Sequence, residues 1–309
     1  MLILAIGSST DKVFPKVIRH LQESGHPFLA VDEDHGTPLS VQCELDAGRP
    51  CFRVSGNGCS GDRPVGSIYV RHAMARTMEP VEGLRLGALQ TRLNGMLMFA
   101  RCPIVNPPAN AYSNYSKPYQ LGLLEDAGFE CPRTLITNNC EEARRFWEQS
   151  NGQVIFKGVS NVMSLAQVLT PERMCRMEHL PNSPTQFQEY VSGVDYRVHV
   201  VGDQAFATRI VTRNEDYRRS SIRRDEEIQA EAAELPPEVI RKCITFTEQL
   251  GLVLGGLDFK ETAQGRLVAL ELNPYPQFTF YESLSGQPIT QAIVNYLMRR
   301  QAADTNIFA

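Results

Sequence analysis

The segments GLDFK (256–260) and RLVALELNP (266–274) decide how this chain is interpreted. Between them, Gln264-Gly265 is typical of a two-residue loop that joins two antiparallel strands. A loop of these two residues sets the register of the two strands, and in that register Asp258 lies directly opposite Glu271. Because strand side chains alternate between faces, Asn273 lies on the same side as Glu271, whereas Leu270 and Leu272 are expected to face a core.

Three side chains with oxygen atoms are therefore predicted to meet on one face of this hairpin. Two carboxylates that face each other across a pair of strands should repel. A hard divalent cation removes this penalty, and Mg²⁺ is often held by few protein groups together with nucleotide phosphates. The pattern predicts a Mg²⁺ site formed by Asp258, Glu271 and Asn273. The alternative is a solvated hairpin with scattered acids.

The composition is that of an ordinary globular protein with room for two or three subdomains, at 309 residues. A formal net charge of −4 argues against nucleic acid as an obligatory partner. The eight cysteines form no Cys-x-x-Cys pair, so free thiols are expected rather than a zinc site. No signal peptide or membrane-spanning run is visible, which predicts a cytoplasmic protein without a membrane partner.

The first hundred residues have the order of an α/β subdomain. A buried strand over 2–6 leads through the turn 7–10 into a helix over about 12–23 and a second strand over 28–31. This opening could hold a phosphate at the start of the helix, but it lacks a Gly-x-Gly-x-x-Gly sequence. We therefore interpret it as the beginning of a subdomain that ends near the prolines of 103–108.

The middle of the chain predicts a helix ended by Gly128, a strand over 134–137, a helix over about 140–150 and a strand over 154–157. Lys157 ends this last strand and enters the loop 158–164, which contains a single glycine. A lysine at such a place usually faces solvent. By itself the loop is a weak phosphate-binding signal.

Two further strands, 194–201 and 204–211, are predicted on either side of Gly202-Asp203. Asp195, Arg197 and His199 share one face of the first of them. The following stretch, 209–224, contains six arginines and two acids, which suits a small anionic group such as a phosphate or a carboxylate. A solvated loop is the alternative.

Four motifs, in this order, resemble the ATP-grasp superfamily, specifically the RimK-like carboxylate–amine ligases and the related graspetide (microviridin-type) peptide ligases. They are KPYQL to CPRT (117–134), the strand ending at Lys157, QEY to DYR (188–197), and the stretch from Asp258 to ELNP (271–274). The resemblance implies an α/β (α+β) ATP-grasp fold. Its parts would be an N-terminal α/β domain (1–105), a central subdomain (106–186) and a C-terminal subdomain (187–309), the last two clasping ATP between them.

The resemblance also implies which residues contact the nucleotide: Lys117, Lys157, Glu189, Tyr190, Asp195 and, as weaker matches, Arg219 and Ser220. The two lysines would offset phosphate charge. Backbone groups of the linker at 189–190 would meet the adenine edge, and Asp195 would engage the ribose.

The same resemblance implies that Asp258, Glu271 and Asn273 bind one or two Mg²⁺ ions, with Mn²⁺ as a substitute. Arg197 and Arg218 would stabilise the transferring phosphoryl group and an acyl phosphate. Two roles are open for His199: it helps to deprotonate an incoming amine, or it is a structural histidine that bonds to a neighbouring strand. The arginine-rich stretch after residue 213 is expected to order over substrate.

The activity implied is an ATP-dependent ligase that activates a carboxylate as an acyl phosphate and joins it to an amine, with release of ADP and phosphate. One alternative is a graspetide-type macrocyclase that forms side-chain ester or amide links in a precursor peptide. Another is a nucleotide-binding protein that has lost catalysis. The fourth and most remote alternative is a kinase that releases a stable phosphorylated product. The expected partners are small-molecule or peptide carboxylates and amines, and a homodimer is left open.

Overall fold

The computed structural model describes residues 1–34, 39–46, 49–56, 59–72, 80–159, 166–174, 177–211 and 229–304. In these ranges the strands form three sheets and the helices pack against them. The predicted α/β class is confirmed. No helix within the described residues combines the length and the apolar character needed to cross a bilayer.

The N-terminal sheet has the order β2-β1-β5-β4-β3, with β6 paired to β5. Its strands are β1 (Leu2–Gly7), β2 (Phe28–Asp32), β3 (Leu39–Asp46), β4 (Arg49–Gly56), β5 (Cys59–Arg71) and β6 (Ile104–Val105). Strand β1 is parallel to β2 and β5, and all of its residues are buried, as expected for a parallel strand covered on both faces. The antiparallel extension formed by β3 and β4 was not predicted.

Helices cover both faces of this sheet. Helix α1 (Phe14–Ser24) packs on one face, and the buried side of α2 (Pro80–Leu97) packs on the other. Helix α1 lies close to where the sequence predicted it. The backbone N–H groups of Ser9 and Thr10, which were considered for phosphate, donate instead to the carboxylates of Asp32 and Asp34, each at 3.1 Å. This turn therefore serves the subdomain's own structure.

The middle sheet has the order β7-β10-β8-β9. Its strands are β7 (Thr134–Thr137), β8 (Val154–Gly158), β9 (Gln167–Val168) and β10 (Thr185–Glu189), and its helices are α3 (Lys117–Asp126), α4 (Cys140–Gln149) and α5 (Pro171–Met174). Short 3₁₀ helices span Pro108–Tyr115 and Met177–Asn182. The side chain of Asn139 caps α4 by accepting from two N–H groups of its first turn. The predicted subdomain boundary after residue 186 falls inside β10 and stays a prediction.

The C-terminal sheet has the order β13-β12-β11-β14-β15. Its strands are β11 (Val194–Val201), β12 (Gln204–Val211), β13 (Gln229–Ala233), β14 (Leu254–Glu261) and β15 (Leu267–Asn273). The predicted Gly202-Asp203 loop is confirmed, since Val201 pairs with Gln204. The apolar face of β11 packs under α6 (Pro237–Gln249), as its alternating sequence predicted.

The last helices, α7 (Thr279–Ser285) and α8 (Ile289–Asp304), return to the N-terminal sheet. Helix α8 shares a core with β1, β5 and α1, and the hydroxyl of Ser67 donates to the carbonyl of Leu297 at 2.9 Å. Lys16 forms an ion pair with Glu282 at 2.6 Å. The first elements of the chain and its last described helices are thus packed together, although they are far apart in sequence.

Asn106 fixes the point where the N-terminal sheet meets the C-terminal one. Its side-chain nitrogen donates to the carbonyls of Leu254 at 2.6 Å and Pro274 at 2.5 Å. Its side-chain oxygen accepts from the N–H groups of Val253 and Leu254 at 2.9 and 2.8 Å. Because Asn106 is buried, these bonds satisfy polar groups that have no access to water. They also hold the beginning of β14 beside the end of β15.

Candidate nucleotide and metal site

The hairpin β14–β15 brings Asp258 opposite Glu271, as predicted. The loop between the strands is nevertheless one residue longer than expected. The N–H of Thr262 donates to the carbonyl of Arg266 at 2.9 Å, which leaves three residues in the loop, with Gly265 at a φ of +75°. The prediction of a two-residue loop was wrong, because Gly265 occupies the left-handed position of a longer turn.

Farther along the hairpin, a β-bulge shifts the strand pairing by one residue and so restores the predicted pairing of Asp258 with Glu271. Phe259 pairs with Ala269 and Asp258 with Glu271, so Leu270 has no partner on β14. An extra residue interrupts the alternation of faces. Leu270 is therefore half-buried and lines the cleft beside the hairpin, and the prediction that it faces the core was wrong. Leu272 is fully buried in the core, as predicted.

A cleft between the middle and C-terminal sheets brings together six of the predicted positions: Lys157, Glu189, Tyr190, Asp195, Asp258 and Glu271. It holds about 730 Å³ of empty space, counting the part open to solvent. The apolar part of its lining includes Ile155 and Val168 from the middle sheet and Leu270 from the C-terminal sheet. Apolar lining with a few converging charged groups is typical of a small-molecule site.

The two backbone N–H groups of the linker at 189–190 already have hydrogen-bond partners, and the predicted contact of this linker with adenine stays a prediction. The N–H of Glu189 donates to the carbonyl of Arg133, and the N–H of Tyr190 donates to the carbonyl of Gln153, both at 2.9 Å. Neither N–H group can therefore donate to a ligand unless it gives up its present partner. Val191, the next residue, also lines the cleft.

Two ion pairs lie side by side on the face of the C-terminal sheet that forms the floor of the cleft; Asp195, Asp258 and Lys260 line the cleft, and Arg197 lies beside them. Lys260 donates to Asp195 at 2.9 Å, and Arg197 contacts Asp258 at 2.5 Å. The members of each pair face each other across β11 and β14, and all four side chains are buried. Lys260 was not predicted from the sequence. Its position two residues after Asp258 was the available signal, since alternate strand residues share a face.

Gly256 leaves space for the guanidinium of Arg197. A Cβ atom at this glycine would lie 2.6 Å from Nη2 of Arg197 and 2.8 Å from Cβ of Pro276. On another side, the ring centroid of Tyr281 lies 5.8 Å from Cζ of Arg197. The guanidinium is therefore enclosed between the strand, the turn after β15 and helix α7.

Lys117 and Asn273 do not line the cleft but lie on elements that border it. Lys117 begins α3, is buried, and donates its backbone N–H to the carbonyl of Val159 at 3.2 Å, next to the end of β8. Asn273 pairs with Gly256, and its side-chain oxygen accepts from the N–H of Tyr275 at 2.9 Å. That oxygen has a second lone pair for another partner.

Several predicted positions lie outside the described residues: Arg218, Arg219, Ser220, most of the loop 158–164 and most of the arginine-rich stretch. Their predicted roles stay predictions.

His199 is fully buried against the rings of Phe278 and Tyr281, at centroid distances of 6.4 and 5.0 Å. Neither ring nitrogen has a hydrogen-bond partner among the described residues. Burial, and then the charge of Arg197, hold the pKa of His199 well below its ordinary value, so the ring is neutral. This enclosure does not suit a base that must reach an incoming amine.

The candidate ligands Asp258, Glu271 and Asn273 are few and all bind through oxygen, which suits a metal ion that is held by only a few protein groups. Within the described ranges, no group of three or more His, Cys, Asp or Glu side chains could hold a metal ion. Asp258 and Glu271 supply two carboxylates, and Asn273 adds an amide oxygen. Mg²⁺ usually keeps several waters and is bound by one or two carboxylates together with substrate phosphates.

Residues 115–297, more than half of the chain, match the family model of the RimK-like ATP-grasp domain. A probable alpha-L-glutamate ligase of Cellvibrio japonicus is 28% identical over 189 residues, which are 57% of this chain and 61% of that protein. A probable alpha-L-glutamate ligase 2 of Shewanella amazonensis is 31% identical over 119 residues, 38% of each chain. The chain therefore spans less than two thirds of the length of these relatives.

Solved structures match nearly the whole chain. The ATP-grasp ligase PsnB complexed with a minimal precursor has a TM-score of 0.79 and 29% identity, with 96% of this chain and 98% of that chain covered. PsnB with a phosphomimetic precursor variant, Mg and ADP has a TM-score of 0.80 and 28% identity, with 97% and 98% covered. The macrocyclase MdnC from Microcystis aeruginosa, bound to its precursor peptide MdnA, shares the fold at 22% identity, with a TM-score of 0.77 and 96% and 99% covered.

Proposed function

The chain belongs to the RimK-like ATP-grasp family, and we propose that it is an ATP-dependent ligase that joins a carboxylate to an amine. The carboxylate would be activated as an acyl phosphate, and ADP and phosphate would be released. The observation that carries this proposal is the pairing of Asp258 with Glu271 in a cleft that also contains Lys157 and the linker at 189–190. This places candidate metal ligands and a candidate phosphate-binding cation around one cleft.

In the proposed complex the adenine lies against Ile155, Val168 and Leu270, because these side chains form the apolar part of the cleft. Since the N–H groups at 189 and 190 are already donated, we assign the adenine-directed donor to the N–H of Val191. Asp195 would accept from the ribose.

The reaction demands charge compensation more than covalent chemistry. A carboxylate does not acylate an amine directly, because its oxygen is a poor leaving group, whereas an acyl phosphate carries a good one. Phosphoryl transfer to a carboxylate brings anions together, so positioned cations supply most of the catalysis. Lys117 and Lys157 are assigned to the phosphates, and Arg197 to the carboxylate and its acyl phosphate. Mg²⁺ held by Asp258, Glu271 and Asn273 would supply further positive charge.

A second candidate function is the formation of side-chain ester or amide links within a precursor peptide. It is favoured by the extent of the structural match, because the PsnB structures align with at least 96% of this chain, including the N-terminal sheet. The glutamate ligase relatives match only parts of their own lengths. In this case the carboxylate and the nucleophile belong to one peptide.

The test is a screen for carboxylate-dependent ADP release, followed by mass analysis of the product. Candidate peptides that bear acidic residues together with Lys, Ser or Thr are compared with free amino acids. Loss of one water per ADP released identifies intramolecular links, whereas a gain in mass by one added residue identifies ligation of an amino acid. ATP binding without ADP release from any carboxylate would support the catalytically inactive alternative.

Glu271→Gln is the matched control for this screen. The substitution keeps the size of the side chain but removes one of the two carboxylates, so turnover should fall to background while the fold survives. Circular dichroism and thermal melting establish the fold, and ADP release establishes the activity. Normal turnover in this variant would refute the metal assignment.

The remaining expectations are proposals of the same kind. We propose one or two Mg²⁺ ions that Mn²⁺ can replace and a cytoplasmic location, and a homodimer is left open. Arg218, Arg219 and Ser220 keep their proposed roles at the phosphates and the acyl phosphate, and the three-part division at residues 105 and 186 is retained.

A further inference from the structure

A side-chain amide covers the outer edge of β15 beside the candidate metal ligands. Strand β15 ends its sheet, so one row of its backbone groups has no strand partner there. Gln120 of α3 meets this edge at Leu272. Its nitrogen donates to the carbonyl of Leu272 at 2.7 Å, and its oxygen accepts from the N–H of Leu272 at 3.0 Å. Gln120 is buried and Leu272 is fully buried, so water does not compete for these bonds.

The tethered residue stands between two of the proposed metal ligands. The side chain of Leu272 enters the core, and its neighbours Glu271 and Asn273 flank it along the strand. Two hydrogen bonds from one planar amide fix both the position and the tilt of the Leu272 backbone. Because the directions of the flanking side chains follow from that backbone, Gln120 limits where Glu271 and Asn273 can point.

The helix that provides this amide also provides a proposed phosphate ligand. Lys117 and Gln120 are three residues apart on α3 and are both buried, so they lie on one side of the helix. The backbone N–H of Lys117 is in turn bonded to Val159, at the end of the strand that carries Lys157. Helix α3 therefore connects both proposed phosphate lysines to the strand of the metal ligands.

We infer that Gln120 is a positioning residue, which holds Glu271 and Asn273 in metal-binding geometry through the backbone of Leu272. This inference rests on the proposed function, because it needs the metal site at Asp258, Glu271 and Asn273. A side chain that orients metal ligands typically contributes about 10- to 100-fold to metal affinity.

The test uses the full chain with ADP and Mg²⁺ as probes. In Gln120→Leu the side chain keeps its approximate size but loses both hydrogen bonds. ADP affinity is measured by titration calorimetry with and without Mg²⁺. We expect the gain in ADP affinity caused by Mg²⁺ to fall about 10- to 100-fold, while ADP affinity without Mg²⁺ is unchanged.

A matched control separates positioning from general destabilisation. Thr247→Val also removes a buried hydrogen bond, from the Thr247 hydroxyl to the carbonyl of Cys243 at 2.8 Å, but this bond lies within helix α6 and does not involve the backbone of β15. It should keep the full effect of Mg²⁺. Hydrogen exchange of peptides that contain Leu272 gives a metal-free readout, and exchange should be faster in Gln120→Leu than in either the wild type or the control.

The inference is overturned if folded Gln120→Leu responds to Mg²⁺ as the wild type does. If Gln120→Leu does not fold, Gln120→Met, an unbranched side chain that also lacks both hydrogen bonds, is measured instead, and an unchanged Mg²⁺ effect would again overturn the inference. A failure of the proposed function looks different. The wild type itself would then show no effect of Mg²⁺ on ADP affinity, and the ADP affinity of Glu271→Gln would be equally insensitive to Mg²⁺.

Discussion

Replacing His199 by leucine tests whether the buried imidazole lowers the free energy of unfolding. Both ring nitrogens lack hydrogen-bond partners in the described part of the chain. Each unsatisfied buried polar group costs about 1–3 kcal/mol, and leucine has a similar volume without such groups. The ring contacts with Phe278 and Tyr281 are exchanged for apolar packing. We therefore expect His199→Leu to be at least as stable as the wild type at pH 7.

The same substitution should change how stability depends on pH. The pKa of His199 lies well below its ordinary value because burial, and then the charge of Arg197, disfavour the imidazolium. Below about pH 6.5 the unfolded chain binds a proton here that the folded chain does not. The free energy of unfolding therefore falls as the pH falls, by up to about 1.4 kcal/mol per pH unit, until the pH reaches the folded pKa.

Hydrogen exchange of peptides from β11 and β14 measures this effect close to His199, after correction for the intrinsic rate at each pH. Between pH 7.5 and pH 5, the opening free energy of the wild type should decrease relative to that of His199→Leu. His20→Leu, in α1, is the control and should follow the wild-type profile. Parallel profiles for the wild type and His199→Leu would refute the assignment of a neutral, enclosed imidazole.

Two further substitutions probe the floor of the cleft. Gly256→Ala should push the guanidinium of Arg197 by about 0.8 Å, from a contact of 2.6 Å to an ordinary one, and lower carboxylate-dependent ADP release about 100-fold with ATP binding retained. Gly255→Ala, on the opposite face, is its control and should affect melting more than turnover; equal loss of turnover in both would contradict the role of Arg197. Lys260→Met should destabilise the protein by about 3–5 kcal/mol, because it leaves the carboxylate of Asp195 buried without its cation. Adding Asp195→Asn should recover much of this loss in thermal melting, and no recovery would argue against the pair.

Local patterns in the sequence were sufficient for elements whose signals lie within a few residues. The apolar run of β1, the strand β7 and the Gly202-Asp203 loop were all predicted at or near their observed bounds. The strands β3 and β4 were missed although a signal was present. Asn57-Gly58 is a typical hairpin loop sequence, and it lies between the ends of β4 and β5.

The hairpin of the candidate metal ligands shows where such patterns stop being sufficient. Asp258 was correctly placed opposite Glu271, but through two errors of one residue that cancel: a loop longer by one, and a bulge at Leu270. A bulge depends on the twist of the strand and on what packs against it. Neither is visible in the alternation of side chains, so the exposure of Leu270 to the cleft could not be predicted.

The order of residues is enough to show which chemical groups are available and, through the alternation of strand residues, that Asp195, Arg197 and His199 share a face. The pairing of Asp195 with Lys260, and the hydrogen bonds from an amide of α3 to the backbone of β15, became visible only in the folded protein. The reason is physical. Alternation acts over a few neighbouring residues, whereas these contacts join segments about 65 and 150 residues apart, whose approach depends on how whole sheets and helices bury their apolar faces together.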